Sequence, residues 1–171
     1  MAELDFLIGT WKGDGLVGDR PFEAVLVADH RVDGDFLWWH LSTHAGGNTL
    51  HEERAVLSFD RKAQVLWGRF FSSGGLVEVG RATMLWGHTG WPEFLFDIEH
   101  TENLLQGVRS RHCVRKLFDW EVYLVRQLAL PEDDRLRAYH EIHLVRERRT
   151  GDRDPVENHA PRPAPPPGGP P

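Results

Sequence analysis

Apolar and polar residues alternate with a period of two along most of the chain, the spacing of a half-buried β-strand rather than of a helix. Phe94, Phe96 and Ile98 alternate with Glu93, Leu95, Asp97 and Glu99. Phe118, Trp120, Val122 and Leu124 alternate with Asp119, Glu121 and Tyr123. Leu136, Ala138, Ile142 and Leu144 share one parity, and Arg137, Glu141 and Glu147 share the other. Residues 22–28, 35–43, 51–59, 65–71 and 76–83 are richer in apolar residues on both parities and read as further strands. Turn signals separate them: Asp33-Gly34-Asp35, Gly46-Gly47-Asn48, Asp60-Arg61-Lys62, Ser73-Gly74-Gly75 and Pro131-Glu132-Asp133-Asp134. A helical turn is expected only at the start, over residues 3–8.

Many short strands joined by tight turns make an all-β meander. A β-sandwich would fit the same strand count, but it more often carries long Greek-key connections. Here nearly every connection is hairpin-short. A single antiparallel up-and-down barrel of about ten strands follows, because closure removes the exposed edges; such barrels commonly enclose a small ligand. The expected barrel spans residues 1–148. From Arg149 to Pro171 the composition changes to a Pro/Gly-rich tail, and Pro21, Pro92 and Pro131 are the only prolines before it. Such a tail buries too little apolar surface to offset chain entropy, so it is expected to be disordered or locally polyproline II.

Composition narrows the function classes. Hydrophobic residues make up 40% and charged residues 27%, a globular balance for the body. A net charge of −6, with no basic patch interleaved with aromatics, argues against nucleic acid as a partner. No apolar run approaches a membrane span, and the acidic N-terminus lacks a signal-peptide pattern, so a cytoplasmic protein without a membrane partner is expected, as monomer or homodimer. The single cysteine, Cys113, offers neither a disulfide nor a thiolate metal set and reads as a small buried residue.

The segment Phe6-Leu7-Ile8-Gly9-Thr10-Trp11-Lys12-Gly13-Asp14-Gly15 resembles the opening of the lipocalin and fatty-acid-binding superfamily of barrels. There the tryptophan plugs one end of the barrel and an arginine of the last strand packs over it. The resemblance assigns barrel closure here to Gly9, Trp11 and Arg146, with Arg148 also available. The string Gly-Thr-Trp-Lys-Gly-Asp-Gly is more specifically similar to the nitrobindin family, ten-stranded haem-binding barrels whose closing strand carries the proximal histidine about six positions before a basic residue. His140 and Arg146 have that spacing. The resemblance implies haem b with His140 as iron ligand and, if haem is bound, chemistry on nitric oxide or peroxynitrite at a ferric iron. The chain departs from the family at Gly18-Asp19-Arg20-Pro21, where a Gly-x-Tyr-Pro segment is usual, and the stretch around 50–57 is closer to uncharacterised lipocalin-like relatives.

The residues themselves leave several readings open. His140 shares parity with Ile142 and Leu144, which carries it inward either as a ligand to iron or as a hydrogen-bonded core histidine. His143 then faces solvent. A one-residue register slip would instead turn Arg137 and Tyr139 inward, an Arg-x-Tyr pair suited to a carboxylate, although their face also carries Glu141, His143 and Glu147. His40, His44 and His51 are poor metal candidates, because positions i and i+4 on a strand lie about 13 Å apart. Glu52 and Glu53 point to opposite faces and make no acid–base pair, and no nucleophile elbow is present. Of the seven tryptophans, Trp39 and Trp120 are the candidates for an aromatic ligand pocket. The expected function is enclosure of an apolar or planar molecule, haem being one version. The alternatives are a non-haem lipid or apolar-metabolite carrier, and a filled-core barrel acting in protein interaction.

Overall fold

The computed structural model describes residues 2–87 and 90–147. A 3₁₀ turn, Ala2–Leu7, precedes ten strands: β1 (Gly9–Val17), β2 (Arg20–Arg31), β3 (Phe36–Ala45), β4 (Asn48–Asp60), β5 (Val65–Ser72), β6 (Val77–Trp86), β7 (Pro92–Glu102), β8 (Arg109–Phe118), β9 (Glu121–Ala129) and β10 (Arg137–Arg146). Each pairs antiparallel with its sequence neighbour, and β1 pairs with β10 to close an up-and-down barrel. Among the described residues the lone helical segment is the opening turn, one residue earlier than its apolar pattern suggested. The 149–171 tail lies outside the described residues. Among them, no helix is long and apolar enough to cross a membrane.

The alternation read from sequence is the alternation of burial. Phe94 and Phe96 point inward on β7 and Asp97 and Glu99 outward. The inner faces of β1–β4 supply Trp11, Leu26, Leu37, Trp39, Ala55 and Leu57, packed against Val114, Val122, Ile142 and Leu144 from β8–β10. One run was read as continuous and is not. Phe118 ends β8, Asp119 and Trp120 form the turn, and β9 starts at Glu121. A bulge at Lys116/Phe118 and the Lys116 Nζ to Asp119 Oδ1 contact of 2.6 Å set that turn, which leaves Phe118 exposed while Val122 and Leu124 face the core.

The glycines of β1 have a steric reason. A Cβ on Gly13 would stand 1.8 Å from the backbone oxygen of His143. One on Gly15 would stand 2.3 Å from the backbone oxygen of Glu141 and 2.5 Å from the Phe22 ring. The closing strand therefore crosses β1 too tightly for side chains there, and Gly15 makes the space that Phe22 fills. Gly15→Ala is expected to cost about 1–3 kcal/mol. Urea denaturation checks the cost, and the Phe22 ring resonances should shift with it; an unchanged midpoint would show that the two strands have slack.

Candidate functional site

The barrel interior is apolar at one end and charged at the other. At the apolar end Gly9 leads into β1 with φ of +128°, a conformation that favours glycine. Trp11 is fully buried, and its indole N–H donates to Leu7 O at 2.7 Å, tying the 3₁₀ turn over the opening. The Arg146 guanidinium lies 4.5 Å from the Trp11 ring centroid and also donates to Phe6 O.

At the other end, register places three nitrogen bases side by side: His112 on β8 pairs with Arg126 on β9, which pairs with His140 on β10. Antiparallel partners point to the same face, so all three enter the barrel. Glu78 on β6 and Glu53 on β4, both buried, approach from the remaining wall. Glu78 accepts from His112 Nε2 at 2.8 Å and from Arg126 Nη2 at 3.0 Å. Glu53 accepts the Trp39 indole N–H at 3.1 Å and lies 3.9 Å from His112 Nδ1. Phe70 stacks on the His112 ring at 4.0 Å. Burial by itself would raise the Glu78 pKa. The His112 hydrogen bond and the charges of His112 and Arg126 outweigh it and hold the carboxyl at about 2.

Nε2 of His140 is buried without a hydrogen-bond partner among the described residues. Phe22 meets its ring edge-on at 5.2 Å and His51, from β4, at 6.2 Å. Burial first, then the charges of His51, Arg126 and His112, push the His140 pKa down to about 4, so the ring is neutral at physiological pH. Burial also lowers that of His51, Glu53 opposing and Arg126 assisting. A second orphaned atom, Arg126 Nε, belongs to the residue next to His140 across the sheet. Beside them is a void of about 20 Å³ lined by Trp39, Leu41, Glu53, Arg126, His140 and Ile142 among others, room for one water.

The structure thus brings His140 and Trp39 to one site and leaves Trp120 elsewhere. Trp120 stacks on Phe118 at 5.3 Å in the turn before β9, about 20 Å along the strand from Arg126. Arg137 is exposed, and Tyr139 is half-exposed with its ring 5.9 Å from the Arg126 guanidinium carbon. A bulge between Ala138 and His140 makes Tyr139 an extra residue, 49% exposed, while Arg137 pairs with Asp133 at 2.8 Å. The same bulge exposes Ala138, which sequence parity had placed inward with His140. The interior arginine is Arg126 instead. His40 and His44 lie toward Glu52 and Ser42, and no cluster of three metal-ligating side chains occurs among the described residues. Cys113 is buried on the outer side of the β8–β9 wall; burial and its hydrogen bond to Glu93 push the thiol up to about 12, which makes it unreactive.

Glu53, Glu78, His112, Arg126 and His51 were not selected as site residues from sequence. The available signal was parity: each is a polar residue on the inward phase of its strand, as Arg126 is in the Val122, Leu124, Arg126 series.

No protein-family model matches the sequence, and no curated protein matches it. The crystal structure of Rv2717c from M. tuberculosis superposes with a TM-score of 0.66, covering 86% of this chain and 96% of that one at 21% identity. At that identity the likeness is one of fold, and it places this chain among closed antiparallel β-barrels.

Proposed function

We propose that this protein is a small-molecule-binding barrel whose ligand enters at the charged end and engages Nε2 of His140. The supporting observation is that nitrogen: buried, neutral and unpartnered beside a small void, whereas buried polar groups are ordinarily satisfied. Trp39, Leu41 and Ile142 provide apolar walls for a planar or apolar body.

Haem b held by His140 is the most specific form of this reading. A neutral imidazole with a free lone pair is the right donor for iron. The space is wrong: Phe22 and His51 lie against the ring, and a void of about 20 Å³ holds no macrocycle. A porphyrin therefore does not fit the barrel as packed, and both rings would have to swing aside to admit it.

A titration of the full chain with hemin and a panel of planar apolar compounds tests the reading, followed by the His140 side-chain ¹⁵N resonances. At least one compound is expected to bind one-to-one, shift those resonances and lose affinity in His140→Ala. A Soret band that saturates one-to-one and disappears in the variant would establish haem as that ligand. Saturable binding by nothing, hemin included, would overturn the proposal and favour a filled-core barrel that acts through protein contacts.

A further inference from the structure

Beside the Ala2–Leu7 turn, at the end that Trp11 closes, lies an open groove of about 550 Å³ whose apolar wall is Phe6, Trp86, Trp91 and Pro92. Trp86 is 70% exposed, and its indole has no hydrogen bond or ring partner among the described residues. Lys116 lies over one face of Trp91, 4.2 Å from the ring centroid, so the open aromatic face of the groove is that of Trp86. The charged lining is nearly balanced, three carboxylates against Lys116 and Arg146. A segment with little charge of its own therefore suits it.

The chain leaves the barrel at this groove. Arg146 lines it and donates its backbone N–H to Trp120 O at 2.9 Å, and Glu147 N–H donates to Thr10 O at 2.7 Å. Residues 148–171 follow, and within them 161–167 read Pro-Arg-Pro-Ala-Pro-Pro-Pro, with Arg162 the one charge. That composition favours polyproline II, which is stiff before it binds and offers proline rings to aromatic faces. The 13 residues between Glu147 and Pro161 span about 20 Å root-mean-square, which keeps the segment near the groove at an effective concentration on the order of millimolar. We infer that the groove is a docking site for this chain's own segment 161–167, whose proline rings stack on Trp86 and lie against Phe6 and Pro92. This contact is independent of any ligand at His140.

The test compares the Trp86 and Trp91 indole N–H resonances of the full chain with those of the full-length triple variant Pro163→Gly, Pro165→Gly, Pro166→Gly. Both resonances are expected to shift between the two chains, while the amides of Gly47 and Gly107, in turns at the opposite end, stay in place. Adding the synthetic peptide 158–171 to the triple variant should restore the shifts. Proximity is read with a nitroxide on Ala164→Cys, which is labelled selectively because Cys113 is buried with its thiol raised to about 12. The label should broaden both indole signals, and replacing the three prolines should relieve that broadening. Trp86 is exposed enough that Trp86→Ala should unfold at the wild-type urea midpoint, yet lose the broadening at Trp91. Identical indole resonances in the two chains, or broadening that survives either replacement, would overturn the docking. Broadening of an isotope-labelled, nitroxide-free chain by a nitroxide-bearing second copy would move the contact from this chain's tail to its neighbour's, and the assignment within one chain would fall.

Discussion

Glu78→Gln is expected to destabilise the barrel by about 3–5 kcal/mol, measured as the shift of a urea unfolding curve at neutral pH. The carboxylate is fully buried and is the common partner of His112 and Arg126, at 2.8 and 3.0 Å. Neutralising it leaves two buried bases facing an amide, and the cost comes from the uncompensated cation more than from the lost contacts. A surface pair is the control: Glu99, which contacts Arg81 on the outer face, should cost less than about 1 kcal/mol when changed to Gln. The same residue sets an acid limb. Its folded pKa of about 2 lies below the ordinary 4.5, so its stabilisation is complete above pH 4.5 and is lost as the pH falls toward 2. In Glu78→Gln the stability curve should be flatter over that interval. A variant that unfolds at the wild-type urea midpoint, or retains the full acid limb, would remove Glu78 from the centre of the network.

Trp11→Ala should be comparably damaging, about 3–5 kcal/mol, through a different cause. Trp11 is fully buried where the barrel closes, in the core cluster that also holds Leu4, Leu7 and Leu144, so its removal leaves a cavity rather than a surface that can collapse. It also removes the hydrogen bond to Leu7 O and the surface beneath Arg146, releasing the 3₁₀ turn and the closing strand together. At roughly 2–4 °C per kcal/mol for a chain of this size, the melting temperature should drop by about 10 °C. Trp38→Ala, on the outer face of β3, is the matched control and should cost less than about 1 kcal/mol. Equal losses in the two variants would mean that the Trp11 end carries no special share of the fold.

These two variants separate what each end of the barrel does. The Trp11 end is an apolar plug. The His140 end carries charge in a place where charge is expensive, and its carboxylates are held by His112, Arg126 and Trp39.

The sequence by itself indicated about ten strands, their antiparallel succession and the inward face of most of them, because hairpin turns and period-two alternation are local properties of the chain. The resemblance of the opening segment marked Trp11 with Arg146 or Arg148 as a closing pair, and parity put His140 inward with a register slip as the alternative. Tertiary structure alone decided the rest. The bulge at Tyr139 that keeps His140 inside depends on how β10 pairs with β9, which no pattern within β10 contains. The Glu53–His112–Glu78–Arg126 network joins residues from β4, β6, β8 and β9, whose meeting depends on barrel closure and stagger. Parity shows that a charged residue faces inward. Which partner stabilises it there, and which of its nitrogens is left unpaired, is settled across the barrel rather than along the chain.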